Sequence, residues 1–419
     1  MYAHDVWAVR HVLLIIGILV LSTAYSAVGA DLALVDATVY ASPSAAPVRH
    51  AVVVVHEGRI VAIGPQSTVR IPAGVQRIDC TGKFVTAGFW NSHVHIFTPG
   101  LLQAATANAA NLDAELDAML NRWGFTTVFD LASVLDNTLA LRHRVDSGEI
   151  RGPRILTVGE PLWTAVPVYV VDYLAANHIV MDTVSTSAEA VAIVQEHARV
   201  GANGVKLFTG SVQRGGKVAN MSLNLVRAAT TEAHRHDLPV FAHPQNMTGL
   251  EAAIEGGVDI LAHTTPDSPP WTPQFVARLK NAHMALIPTL TLFDFEARKL
   301  GVADSESQQW IAKMVGELRA FSQGGGEVLF GTDVGYTDHF DTTLEYVLMS
   351  RAGMTFPQIL ASLTTNPARR FRALHSGRVA KGMDADLVVL ESDPAVDVSA
   401  LATVDYTIRA GTVVYARTQ

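Results

Sequence analysis

Two histidines, His93 and His95, sit two residues apart in NSHVHIF at 91–97, directly after an apolar run. In an extended chain, residues i and i+2 point to the same face, so the pair presents two imidazoles side by side. Imidazole suits zinc and related divalent ions, but two nitrogens do not complete a site. Further donors stand in matching positions. His243 closes the apolar segment PVFAH, His263 closes DILAH and Asp333 closes VLFGTD. Lys206 lies within GVKLF, between Val205 and Leu207. Four histidines and an aspartate at the ends of short apolar strands point to a metal site. Histidines such as His143, His197 and His234 fall in helical stretches and carry no such signal.

The segments that carry these donors alternate with helical stretches between about residue 84 and residue 371. KFVTAGFWNSHVH, TTVFDL, RILTVG and ALIPT complete the set of candidate strands. Candidate helices include 187–200, 222–237 and 305–323, the last with Ser305 as N-cap. Repeated strand–helix units over residues 84–371 predict an α/β fold, a (β/α)8 TIM barrel. Such barrels run to ~250 residues, and their strand ends converge on one face where active sites form. An open doubly wound sheet is the alternative, but no Gly-rich phosphate turn follows an early strand. Residues 31–83 and 372–419 read as short β-branched strands, with EGRI at 57–60 and Ala410-Gly411 as turns. The two chain ends are therefore expected to build one small β-sandwich domain.

Of the 419 residues, 49% are apolar and 17% charged, which is ample for a large core. The formal net charge is -8 and no long basic stretch occurs, so nucleic acid is excluded as a partner. Residues 1–30 have the layout of a secretory signal peptide: Arg10, an apolar run at 12–22, then SAVGA with cleavage after Ala30. The run is short for a span of ~20 residues, so no stable membrane span is expected after cleavage. An exported protein, periplasmic or secreted, follows. The single cysteine, Cys80, leaves no internal disulfide. A homo-oligomer is left open.

NSHVH, GVKLF, FAHP, LAHT and GTD, in that order, resemble the amidohydrolase superfamily of metal-dependent hydrolases. The tail GRVAKGMDADLVVLESDP at 377–394 and the segment 353–371 extend the similarity over nearly all of the chain after residue 30. Within the superfamily the chain is most similar to the imidazolonepropionase-like and prolidase-like branch. The resemblance implies two divalent ions, zinc first, ~3.5–4 Å apart. His93, His95 and Asp333 would hold one, and His243 and His263 the other. Lys206 would bridge them as a CO2-derived carbamate, which requires a neutral amine first; burial between apolar neighbours favours that form.

The resemblance further implies hydrolysis of an amide C–N bond in a dipeptide, an N-acyl amino acid or a cyclic amide. Hydroxide shared by the two ions would attack the carbonyl, and Asp333, the catalytic residue, would carry the proton to the leaving nitrogen. The alternative is a mononuclear imidazolonepropionase-type hydrolase or a deaminase on the same barrel. Related deaminases often carry a glutamate three residues after the fifth-strand histidine, where this chain has Asn246, and generally lack the fourth-strand lysine. Lactone and phosphotriester hydrolysis stay open, since the same nucleophile attacks several electrophiles. A binding protein without activity would be marked by a lost ligand, and none is lost.

The expected substrate is a small molecule or short peptide. Residues 159–183 form a long connection for a barrel, with Trp163, Tyr169, Tyr173 and His178 on it, and serve either as a lid or as a packed excursion. Tyr169, Arg214 in SVQRGGKV, and Tyr336 and His339 in GYTDHF are the candidate substrate contacts, Arg214 for a carboxylate.

Overall fold

The computed structural model describes residues 31–418, so the expected signal peptide at 1–30 lies outside the described residues. No described helix is long and apolar enough to cross a membrane. Strands from both chain ends form one mixed sheet. Its order runs Thr412–Ala416, Val404–Arg409, Leu387–Leu390, Phe84–Ala87, Leu32–Val39, Val48–His56, Arg59–Pro65, with Gln76–Asp79 also against Leu32–Val39. The strands of the two chain ends are thus joined by their ladders into one forked sheet. The fork arises at Asp36, whose φ of 62° bends the strand. Leu32 to Val35 pair with Gln76 to Asp79, whereas Thr38 and Val39 pair with Phe84 and Val85. The turns at Glu57-Gly58 and Ala410-Gly411 fall where the sequence puts them, both with positive φ. This sheet keeps its own core, including Leu34, Val53, Ile60, Val85 and Leu387.

The candidate strands of the central region form from Phe89 onward, the last of them only as far as Val328, and they pair in parallel. Phe89–Val94, Phe125–Asp130 and Arg154–Thr157 make one sheet. Leu162–Trp163, Val205–Phe208, Val240–His243, Ile260–Ala262, Ala285–Ile287 and Glu327–Val328 make the other. The fold is α/β, as expected, but among the described residues the ladders form two sheets rather than one closed ring. At one edge the link runs through Asn203, whose N donates to Thr157 O at 2.7 Å and whose Oδ1 accepts from Thr157 N at 3.1 Å. At the other, Ser92 N reaches Phe330 O at 2.7 Å and Val94 bridges Val334. Regular pairing stops after Val328 because the following residues turn to present Asp333, whose own φ is 62°.

The candidate strand KFVTAGFWNSHVH is two strands in two sheets, Phe84–Ala87 and Phe89–Val94. The helix Ser187–Val200 matches its expected bounds and opens on a Thr186–Glu189 capping box. Ser222 caps Leu223–Arg235. Ser305, expected as an N-cap, lies inside the helix Asp304–Gln323, which begins one residue earlier behind Ala303 with no side-chain cap. Phe129, Phe241, Ile287 and Leu329 pack together between the parallel strands as the floor beneath the strand ends.

Candidate metal centre

The donors arrive at the ends of parallel strands, and the backbone around them is bent to bring them together. His93 lies in a strand buried along its whole length, and His95 follows its last residue. His243 ends Val240–His243, its ring stacked on Phe208 with centroids 4.7 Å apart. His263 comes directly after Ile260–Ala262 with φ 105°, and Asp333 has φ 62°, both in the left-handed region that side chains avoid. Strain held at residues that share one site is a mark of functional geometry. Two glycines permit the approach of the Asp333 segment. A Cβ on Gly331 would meet Ile287 at 2.3 Å, and one on Gly335 would meet the His95 carbonyl oxygen at 1.9 Å. His93 O accepts from Asp333 N at 2.9 Å, which fixes the segment against the first histidine pair.

Asp333 Oδ1 is the point of convergence. His95 Nε2 lies 2.7 Å from it and His93 Nε2 3.0 Å. His95 Nδ1 is already engaged with the Ala132 carbonyl at 2.8 Å, and a carbonyl only accepts. Both nitrogens of His95 therefore face acceptors, although a neutral ring carries one proton. The two ring nitrogens of His93 are buried and make no hydrogen bond among the described residues, so its 3.0 Å approach to Asp333 is a contact without hydrogen-bond geometry. A cation shared among these atoms satisfies all of them at once. His93, His263 and Asp333 each offer an atom within 4.8 Å of the others. This trio brings His263 up to the expected group of His93, His95 and Asp333. His263 is in turn 4.8 Å from His243 by ring centroids and 4.6 Å from His93.

Burial sets the charge states. It pushes His93 and His243 down to about 3 and His263 well below the usual range, with Lys206 as a further depressing charge on each. The imidazoles are thereby kept neutral, the form that ligates a cation. Burial opposes the charge on Asp333, but the neighbouring His93 and His263 and the hydrogen bond from His95 outweigh it and hold the carboxyl well below its ordinary value. Lys206 is buried, with Nζ 5.6 Å from the Phe208 ring centre. Burial brings its pKa down to about 7, with Asp333 pulling the other way. No carboxylate forms a salt bridge with it among the described residues.

All six expected ligands line one cavity of about 420 Å³, a volume suited to a small-molecule substrate. Tyr169 and Tyr336 line it too, with rings 5.5 Å apart. Tyr169 Oη lies 3.5 Å from His243 Nε2, and burial raises both tyrosines so that they stay protonated. Arg214 and His339 do not join them. Both are exposed and absent from the lining, Arg214 at the tip of the hairpin Gly210–Asn220 and His339 in the loop beyond Asp333. The long connection 159–183 is not structureless: it contains Leu162–Trp163 and the helix Val168–Ala176, and it walls the cavity with Trp163, Val168, Tyr169 and Leu174. Tyr173 donates to the Phe97 carbonyl and ties the helix down.

Several residues of the site escaped the sequence reading. Glu296 lines the cavity and accepts from Tyr336 Oη at 2.5 Å. Thr289, at φ 43°, holds His263 Nδ1 at 2.6 Å. Trp310, Lys313 and Met314 enter from Asp304–Gln323. The stretch 305–323 reads as a helix, but no local signal tells which of its faces would lie over the strand ends.

The model of the amidohydrolase family matches residues 84–414. The proposed prolidase from Bifidobacterium longum superposes with a TM-score of 0.78 at 27% identity, over 93% of this chain and 95% of its own. A Xaa-Pro dipeptidase with methionine bound in its active site gives 0.78 at 22% identity, over 93% and 100%. The ochratoxinase of A. niger gives 0.75 at 18%, over 93% and 96%. The last two, at such low identity, speak to the fold alone. No match to the sequence is found among curated proteins.

Proposed function

Since the chain belongs to the amidohydrolase family, we propose that this hydrolase cleaves an amide C–N bond at a centre of two divalent ions, zinc first. The observation that carries this reading is the convergence of His93 and His95 on Asp333 Oδ1, with His95 Nδ1 committed to a carbonyl. His93, His95, His243, His263 and Asp333 would hold the ions, with Lys206 between them as a carbamate. Carbamate formation joins the neutral amine to CO2 with loss of one proton, turning a potential cation into a carboxylate. The depressed Lys206 supports it, because a lysine at about 7 offers free amine at neutral pH.

Bound ions would supply ionisation of water near neutral pH, ~7, and polarisation of the scissile carbonyl. The chain's own groups do the rest. Asp333, an ionised carboxylate, takes a proton from the attacking water and delivers it to the leaving nitrogen. Tyr169, protonated and beside His243, is placed to donate to the carbonyl oxygen as negative charge develops on it. The helix Val168–Ala176 limits water at the centre.

Dipeptides and N-acyl amino acids are the first substrates to test, a choice supported by the likeness to the proposed prolidase. Protein purified without chelator, then supplied with zinc and bicarbonate, should hydrolyse members of such a panel. No amide hydrolysis at any metal loading overturns the reading. The compact His93–His263–Asp333 trio favours a one-ion alternative, and full activity at one ion per chain would select it. Residues 84–371 are read as the catalytic unit and both chain ends as its companion sheet. Residues 1–30 are read as an export signal; a mature chain starting at Asp31, by mass spectrometry, tests that reading.

A further inference from the structure

Resting on the amide-hydrolase reading, we infer that the substrate carries a bulky, uncharged hydrophobic group, aromatic or long alkyl, that fills a pocket beside the metal centre walled by Phe97, Trp163, Leu174 and Phe208.

These side chains form one apolar cluster, joined by Val170 and Met181 from the same connecting segment. Trp163 meets Phe208 edge to face at 5.4 Å, and Phe208 in turn stacks on His243. The apolar wall therefore reaches the ligand set itself, with no charged side chain between them. Leu292, Phe293 and Met314 add further apolar lining to the same cavity. The indole nitrogen of Trp163 donates to the Asp182 carbonyl, so the ring is fixed and turns its carbon face to the pocket.

Each charged group of the lining outside the ligand set has at least one polar partner in the protein. Apart from Lys206, Lys313 is the one cation there among the described residues, and its ammonium donates to the Pro266 carbonyl. Glu296 accepts from Tyr336, and the Lys299 ammonium lies 4.0 Å from it. Asp267 accepts from Gln245 Nε2 at 3.0 Å. A free dipeptide brings an ammonium and a carboxylate, one on each side of its scissile bond, and each must leave water on entry. No arginine waits for the carboxylate, since Arg214 is exposed at its hairpin tip. An apolar group meets the opposite situation.

The mouth carries a second, independent sign. Seven large apolar side chains are exposed among the described residues. Two of them, Leu300 at 64% and Trp310 at 36%, also line the cavity. Two more, Val171 at 37% and Val180 at 86%, belong to the segment that walls it. Exposed apolar residues gathered at a cavity mouth mark a path for an apolar ligand.

The test compares the zinc-loaded holoenzyme on amides of one amine bearing acetyl, hexanoyl, decanoyl or phenylacetyl groups. A second series fixes the acyl group and varies the amine, and free dipeptides complete the set. The expected result is a rise in kcat/KM of order 10²-fold from the smallest to the bulkiest group in one series, as burial of ~100 Å² of apolar surface gives. Trp163→Ala should shrink the ratio of bulky to small substrate at least ~10-fold. Calorimetry supplies a readout free of turnover: decanoate or phenylacetate should bind the holoprotein far more tightly than acetate. Amide hydrolysis that is flat across both series, or best on free dipeptides, overturns the inference and leaves the amide-hydrolase reading standing. Tight binding of the apolar acids without hydrolysis of any amide does the reverse. Equal binding of acetate, decanoate and phenylacetate overturns the pocket outright.

Discussion

His263 Nδ1 and the Thr289 hydroxyl lie 2.6 Å apart, and Thr289 donates its proton to the Pro288 carbonyl at 2.9 Å. The hydroxyl can therefore only accept from His263, which places the ring proton on Nδ1 and leaves the Nε2 lone pair for a ligand role. Such outer contacts fix the tautomer and orientation of ligating histidines. The left-handed backbone of Thr289 is what swings the hydroxyl under the ring.

Thr289→Val keeps the branched shape and removes the acceptor. Its metal affinity should fall ~10–100-fold in chelator competition. The circular dichroism spectrum should stay unchanged. Unaltered affinity would mean that His263 is oriented by packing alone.

Asp333→Asn keeps the volume and removes the charge on which both histidines converge. Turnover should drop ~10²–10⁴-fold, the span for loss of a general base. Elemental analysis should show weaker metal retention, since an amide is a poor ligand beside a carboxylate. Near-normal turnover would take Asp333 out of the proton path.

The ligand positions were legible because each donor ends a short apolar segment, and parallel strands gather their ends on one face. His243 and Phe241 share a face two residues apart, so one residue packs the floor and the other the site. Glu296 and Trp310 were not legible. They sit on helices whose faces are chosen by packing against elements far away in sequence. Arg214 and His339 look polar and well placed along the chain, yet both fall on exposed turns, and sequence distance from a ligand says little about the direction of a loop. The fork of the terminal sheet was not legible, because it turns on one aspartate, Asp36, taking a positive φ, which most aspartates do not.

Lys206→Ala should cost more metal than Thr289→Val, because the proposed carbamate would be a ligand of both ions. Metal content should fall below one ion per chain, and turnover with it. A short carboxylic acid added to the variant should restore part of each by occupying the vacated place. With ¹³C-bicarbonate, the carbamate signal of the parent protein should vanish in the variant. Two retained ions and normal turnover in Lys206→Ala would remove the bridge from the mechanism.

Glu317 offers a prediction about stability that does not involve the metal centre. It sits buried on Asp304–Gln323 and accepts from Thr265 N at 2.8 Å and the Ser268 hydroxyl at 3.0 Å, pinning the loop that follows His263. Burial raises its pKa from the ordinary 4.5 to about 7, while those hydrogen bonds and Lys313 pull it back. A folded value above the unfolded one means that the native state holds the proton more tightly. The resulting stability is complete below about 4.5 and is lost as pH rises through about 7. The shift corresponds to about 3 kcal/mol at most. Glu345, also raised to about 7 by burial, acts in the same direction, so the informative quantity is a difference between proteins. Glu317→Gln keeps an acceptor for Thr265 N and cannot ionise. Its melting temperature should decline less than that of the parent between pH 5 and pH 8, with the gap opening as pH rises. Parallel curves would mean that the loop yields when Glu317 ionises and lets water reach the carboxylate.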